Sequence, residues 1–364
     1  MQNAKGAAAA SSPDSLRPPF PFHQSSSGSS RLTSKRLIVT LAALFALLIL
    51  IAAVATAIGS EKVDVLSVLR IISSRMTGTV ADVPAEQAII IADIRLPRVL
   101  MAVVVGAALA VAGAAYQALL RNPLADPAIL GVSSGAALGA IVATVFAESL
   151  PVSRPVAAFI GALATIAVVY ALGQSRHRGG SERLILAGVI VNALLSSIVI
   201  FMVTTAAGSR QRSVLSWLIG DLGGETSLLP IVALLIATGI AAILLNARSL
   251  NLLMTGEEDA LALGVEVGRV KLAVYLAASL ITGAAVAVSG AIGFVGLIIP
   301  HAVRLAGGSD NRLVVPASAL VGGAFLVLAD TIARTAIAPR ELHIGVITSM
   351  VGAPVFIYLL RRTS

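Results

Sequence analysis

The sequence predicts an all-α integral membrane protein that crosses the bilayer about ten times, and three observations carry this prediction. The chain of 364 residues is 57% hydrophobic and only 12% charged, a balance outside the range of ordinary soluble domains. Its apolar residues come in runs of about twenty, the length a helix needs to cross a hydrocarbon core of about 30 Å. Those runs do not alternate apolar with polar residues, as barrel strands would over about ten positions. Backbone groups within lipid must be satisfied inside the protein, so helices are what remains.

Taken in order, residues 1–36 are rich in Ser, Pro and Ala with little that could pack. They are expected to be a disordered basic tail, followed by one transmembrane domain over 37–364. Arg31, Lys35 and Arg36 stand directly before the first apolar run, 37–58. That run ends AAVATAIGS, which imitates a signal-cleavage site, but it is longer than a signal core and many spans follow, so an uncleaved anchor is expected. The second run, 97–119, is fenced by Arg95 and Arg98 on one side and by Arg121, Asn122, Pro123 and Asp126 on the other. A Gly/Ala/Ser-rich third run, 128–147, follows at once, so this pair reads as two membrane helices joined by a polar elbow. Further runs lie at 155–173, 184–207, 228–245, 270–291, 294–306, 313–336 and 344–360. The eighth is too short to cross as a straight helix and suggests a half-helix with an irregular start, tolerated only when buried in protein. GAALAVAG at 106–113 recurs as GAAVAVSG at 283–290, as expected of halves built on related helices; a chance echo of Ala/Gly-rich sequence is the alternative.

An even number of crossings puts both termini on one side. With the N-terminus inside, sixteen of the 26 Lys and Arg residues fall on inner segments, a bias towards the cytoplasm. The formal charge of +8 is thereby accounted for by topology, without nucleic acid as a partner. Ten are left on the outer side, among them Arg95, Arg98 and Arg334. Arg334 can pair with Asp330 at i, i+4, all three can snorkel to the interface, or together they can form a docking ring for an acidic soluble partner.

The sequence holds no cysteine, which removes disulfides, thiolate metal sites and cysteine nucleophiles. No G-x-x-x-x-G-K-[ST] loop occurs, so the chain does not cradle a nucleotide in the P-loop manner. His23, His177, His301 and His343 lie on separate segments without ligand spacing. No catalytic, cofactor or metal residues are therefore assigned. Ion-coupled transport would want carboxylates inside the membrane, and the spans offer only Asp330 near an outer end.

The longest inner connection, 246–271, has apolar Leu250, Leu252, Leu253 and Met254, a break at Gly256, acids Glu257, Glu258 and Asp259, and a second short helix, Ala260 to Leu263, that stops at Gly264. Two amphipathic helices with a hinge suit a groove on a partner protein; a solvated connector resting on the membrane is the plainer reading.

Several blocks, in order, resemble the permease family of iron–siderophore, haem and vitamin B12 ABC importers, whose fold is the type II importer permease. They are RLPR (95–98), QALLRNPLADPAILGVSSGA (117–136), GEE-x-A-x-x-LGV (256–265), GFVGLIIPHAVRL (293–305), LADTIAR (328–334) and IGVITSMVGAPVFIYLL (344–360). The resemblance runs from about Leu37 to Arg362 and leaves the tail uncovered. It implies a pair of permease subunits, driven by two cytoplasmic ATP-binding subunits and fed by an extracytoplasmic substrate-binding protein, in the inner membrane with both termini cytoplasmic. It implies that Leu250, Leu253, Gly256, Glu257, Glu258, Ala260, Leu263 and Gly264 belong to the loop that the ATPases grip. Arg95, Arg98 and Arg334 match arginines that meet glutamates of the binding protein. Asn122 and Leu124 match one cytoplasmic constriction, and Gly180 and Ser181 a second. Asn192, Ser196 and Ser197, with Thr204 and Thr205, match the pathway-lining span, although such hydroxyls can equally bond their own helix. The implied cargo is a bulky metal chelate, an iron–siderophore complex before haem or cobalamin, moved by alternating access and without chemistry by this subunit.

Overall fold

The computed structural model describes residues 33–59, 83–146, 152–173, 180–205, 209–224, 226–338 and 340–363, with 68, 70, 71, 73 and 74. The expected tail up to residue 32 lies outside them. Among the described residues there are ten apolar helices: α1 (Ser34–Ala57), α2 (Leu96–Leu120), α3 (Val132–Val145), α4 (Arg154–Gly173), α5 (Gly180–Thr205), α6 (Leu229–Leu245), α7 (Val267–Ser289), α8 (Val295–Gly307), α9 (Asn311–Thr335) and α10 (Ile344–Thr363). Seven are long and apolar enough to span, while α3, α8 and the apolar part of α10 are shorter. Among the described residues there is no strand, only an isolated bridge between Ile337 and Arg340.

The centre is built on α2 and α7, each with 78% of its apolar window buried. Alanine and glycine let backbones approach closely there. A Cβ on Gly113 of α2 would collide with the carbonyl of Gly296 in α8, so small residues rather than large apolar ones make this contact. α9, α7 and α8 surround α2, α3 pairs with α4, and α7 joins α2 to α4 and α6. Tyr116 and Tyr275 meet edge to face between α2 and α7, and the Tyr116 hydroxyl lies 2.6 Å from that of Ser279. α1 leans on α9 and has only 6% of its window buried.

Several boundaries differ from those expected, and one helix is additional. The second span begins earlier, because a short helix (Ala85–Ile89) and a π-helical stretch (Ile90–Arg95) run into α2 without a break. The third begins later. The Asp126 carboxylate accepts from the Ala128 N–H at 2.7 Å and starts a 3-10 turn, Pro127–Leu130, which takes up the residues assigned to that span's first turn. The stretch between the runs 184–207 and 228–245, to which no element is assigned from sequence, contains a further helix, Ser209–Leu218, anchored by buried Val214 and Trp217. The eighth span is short as expected: α8 begins after Phe294, which has φ 69°, and its 13 residues extend only about 20 Å.

Candidate functional site: two polar ends of the bundle

α2 carries Arg98 near one end and the elbow at the other, so the polar groups separate into two clusters. At the arginine end, Asp330 of α9 is 1% exposed. It accepts from Arg98 Nε and from Arg334 Nε, each at 2.9 Å. Arg98 also reaches Glu341 at 2.7 Å, whose side chain is 54% exposed. Arg334 donates onward to the carbonyls of Ala55 (3.2 Å) and Ile58 (3.3 Å). Arg95, buried, donates to those of Ala57 (3.1 Å) and Thr56 (3.3 Å). These are carbonyls at the end of α1, which a helix cannot satisfy by itself. α1 has no basic residue in its last turn, so the two guanidiniums supply from other helices the positive charge that a helix C-terminus favours. Beside them opens a cavity of about 130 Å³ lined by Arg98, Asp221, Glu341 and His343.

At the other end, the connection after α6 forms two helices, Ala247–Thr255 and Glu257–Ala262. Gly256 between them has φ 151° and ψ 152°, a region essentially open to glycine alone. The second helix holds Glu257, Glu258 and Asp259 in its first turn, where the helix dipole favours acids. It closes with Gly264 N–H to Leu261 O (3.0 Å) and Val265 N–H to Ala260 O (2.9 Å), the paired bonds of a Schellman cap. The residues matched to the gripped loop divide into two groups. Leu250, Leu253 and Ala260 are at most 1% exposed and anchor the segment on the chain's own core. Leu263 is exposed, and so is Leu261, which the sequence reading passed over. Spacing could have shown it, since Leu261 is turned about 100° round the helix from the buried Ala260. Glu257 pairs with Lys271 and lies 4.0 Å from Arg121, which ties the segment to α7 and to the elbow. In the elbow, Arg121 is left-handed (φ 50°), and the Asn122 side chain accepts from the Leu124 N–H at 2.9 Å. Leu124 projects into the open.

Gly180 opens α5, and the residues before it, 174–179, lie outside the described ones. Along α5, Asn192 and Ser196 are half-buried and Ser197 is exposed. Ser197 bonds the carbonyl of Ala193 (2.9 Å), and Thr204 and Thr205 bond that of Phe201, so these hydroxyls satisfy themselves within the helix. Their neighbours Leu194 and Phe201 are exposed. Among the described residues no group of His, Asp and Glu is placed to hold a metal ion. The arrangement supplies charge and shape.

The model of the FecCD transport family matches residues 44–362. The cobalamin import system permease protein of Halobacterium salinarum is 46% identical over 284 residues, 77% of this chain and 75% of that protein. The hemin transport system permease protein of Yersinia pestis is 46% identical over 277 residues, 74% of this chain and 82% of that one. Among solved structures, an ABC transporter of metal-chelate type in an inward-facing conformation matches with a TM-score of 0.76 at 30% identity. The match covers 90% of this chain and 99% of the other.

Proposed function

The chain belongs to the FecCD transport family, and from that premise we propose that it is the permease subunit of an ATP-driven importer for iron(III)–siderophore complexes. It is a multi-pass permease of the metal-chelate, B12 or haem type of ABC importer. The observation that carries the proposal is the extent of the match, which runs unbroken from the first helix to the last. Siderophore cargo is our choice within that class. Cobalamin and haem are favoured by the names of two relatives.

In this reading two permeases enclose the path in the inner membrane, with both termini in the cytoplasm. Two ATP-binding subunits grip the 246–266 segment. Its hinge at Gly256 and its exposed Leu261 and Leu263 support that role, with Glu258 and Gly264 shaping the same surface. Arg95, Arg98 and Arg334 face the binding protein. Because each is engaged within the chain, an acidic docking partner must compete with Asp330, Glu341 and the end of α1. Asn122 and Leu124, and Gly180 and Ser181, form the cytoplasmic gate, while Asn192, Ser196 and Ser197 border the path. Closure of the ATPases moves the gripped segments, and the paired permeases open to one side at a time. The subunit gates; hydrolysis occurs on its partners.

Growth separates the cargoes. Cells lacking the gene are starved for iron and supplied singly with siderophores, haem or ferric salt, with and without this chain. Rescue confined to siderophores supports the proposal. Rescue by haem alone, or loss of cobalamin-dependent growth without an iron phenotype, overturns the cargo and retains the permease.

A further inference from the structure

The 246–266 segment is joined to the bundle by a half-buried polar chain, centred on the buried Asn311, that gripping alone does not require. Asn251, on the first helix of the segment, sets its carboxamide against the N-terminus of α9. Its Nδ2 donates to Asp310 Oδ1 at 2.8 Å, and its Oδ1 accepts from the Asn311 N–H at 2.8 Å. Asn311 is fully buried. Its Oδ1 accepts from Arg304 Nη1 at 3.3 Å, and its Nδ2 lies 3.3 Å from the Met254 sulfur. Arg304, in the last turn of α8, then donates through Nη2 to the carbonyl of Ala114 at 3.1 Å. An unbroken line of hydrogen bonds therefore runs from the loop helix through the starts and ends of α9 and α8 into α2.

The position of Ala114 gives this line its meaning. It lies beside Gly113, where α2 and α8 touch backbone to backbone, and about two turns before the elbow of Asn122 and Leu124. Apolar side chains alone would let the loop helix slide over the bundle. Directed bonds to a rigid, planar guanidinium resist that slide. We propose that Asn251, Asn311 and Arg304 are positioning residues that transmit displacement of the ATPase-gripped segment to the elbow constriction. The proposal rests on the reading of 246–266 as that segment.

The test uses the absence of natural cysteine. Leu124→Cys places one reactive thiol per copy of this chain at the constriction of the full complex in liposomes; with the partner subunits' own cysteines replaced beforehand, the rate of its modification by a fluorescent maleimide is measured without nucleotide and with ATP plus vanadate. Transmission predicts that the two rates differ by about fivefold or more. Asn251→Asp sets a second carboxylate against Asp310, and the difference should collapse in those complexes that co-purification shows to retain the ATPase subunits. Exchanging the pair, Asn251→Asp with Asp310→Asn, restores donor to acceptor and should restore the difference. A nucleotide-independent rate in the parent, or an undiminished difference in Asn251→Asp, overturns the proposal. So does failure of the exchange to restore a lost difference. Leu261→Asp addresses the underlying reading separately. Loss of ATPase co-purification supports it, whereas retained association removes the gripped segment, and the transmission proposal with it.

Discussion

Asp330 concentrates the electrostatics of the arginine end in one side chain. It holds two guanidiniums at 2.9 Å while 1% exposed, and one of them, Arg334, also holds carbonyls at the end of α1. Asp330→Asn would leave poorly paired buried cations, a change of about 3 kcal/mol by the usual cost of breaking such pairs. Glu341→Gln removes only the exposed partner of Arg98 and should cost well under about 1 kcal/mol. Thermal unfolding of the two variants in detergent distinguishes them, and equal shifts would contradict the shared-carboxylate picture. Asp310 behaves differently because it lies at the bundle's other end, outside the spans. Burial works to raise its carboxyl, but Arg312 and Asn251 together hold it below the ordinary carboxylate range. A depressed value means that stability is fully present above the unfolded-state pKa of about 3.9 and fades as pH falls through the folded-state value. The advantage of the parent over Asp310→Asn should therefore be constant near neutrality and shrink below about pH 4; an advantage independent of pH would show that the charge contributes nothing. Of these contacts, only the i, i+4 pair of Asp330 and Arg334 was legible in the sequence. Arg95 and Arg98 find partners 38 to 243 residues away, and no local pattern encodes that distance.

At the scale of elements, α8 illustrates how one helix depends on another. Pro300 lies inside it and has no N–H to give the carbonyl four residues back, which is that of Gly296. Gln117 of α2 supplies the missing donor: its Nε2 lies 3.3 Å from Gly296 O and 3.1 Å from Leu297 O. Gln117→Leu keeps the volume and strands the carbonyl, at about 2 kcal/mol. Pro300→Ala restores an N–H from within the helix, so the double variant should lose less than the sum of the single ones. Additivity in a thermal or denaturant cycle would mean that the two residues do not share the Gly296 carbonyl. The short α8 was readable from the length of its apolar run, and the elbow from its fence of polar residues. The helix at Ser209–Leu218 was not. Its polar residues outnumber its apolar ones, and only packing of Val214 and Trp217 into the core distinguishes it from a loop. The π-helical entry to α2 was equally hidden, since it changes the hydrogen-bond spacing without changing the run of apolar residues.

For the molecule as a whole, burial sets which helices face lipid, and the distribution of basic residues favours one orientation. The central helices α2 and α7 are deeply buried, whereas α1 and much of α5 present apolar side chains outward, as a chain set in lipid requires. The excess of basic residues on the side of 246–266 favours the cytoplasm for that end. Leu263 and Glu341 report on the two ends; their exposures are 65% and 54%, and no natural cysteine interferes. A membrane-impermeant maleimide added to spheroplasts should label Glu341→Cys and leave Leu263→Cys unmodified, and inverted vesicles should reverse the pattern. If Leu263→Cys is labelled from outside and Glu341→Cys is protected, the orientation is inverted, and the ATPase and binding-protein surfaces fall together, because each is defined by its compartment. If both are labelled from one side, an odd number of crossings separates the chain from the ten-span arrangement. The expected result leaves the arginine end facing the incoming chelate and the hinged end facing ATP, the polarity that import requires.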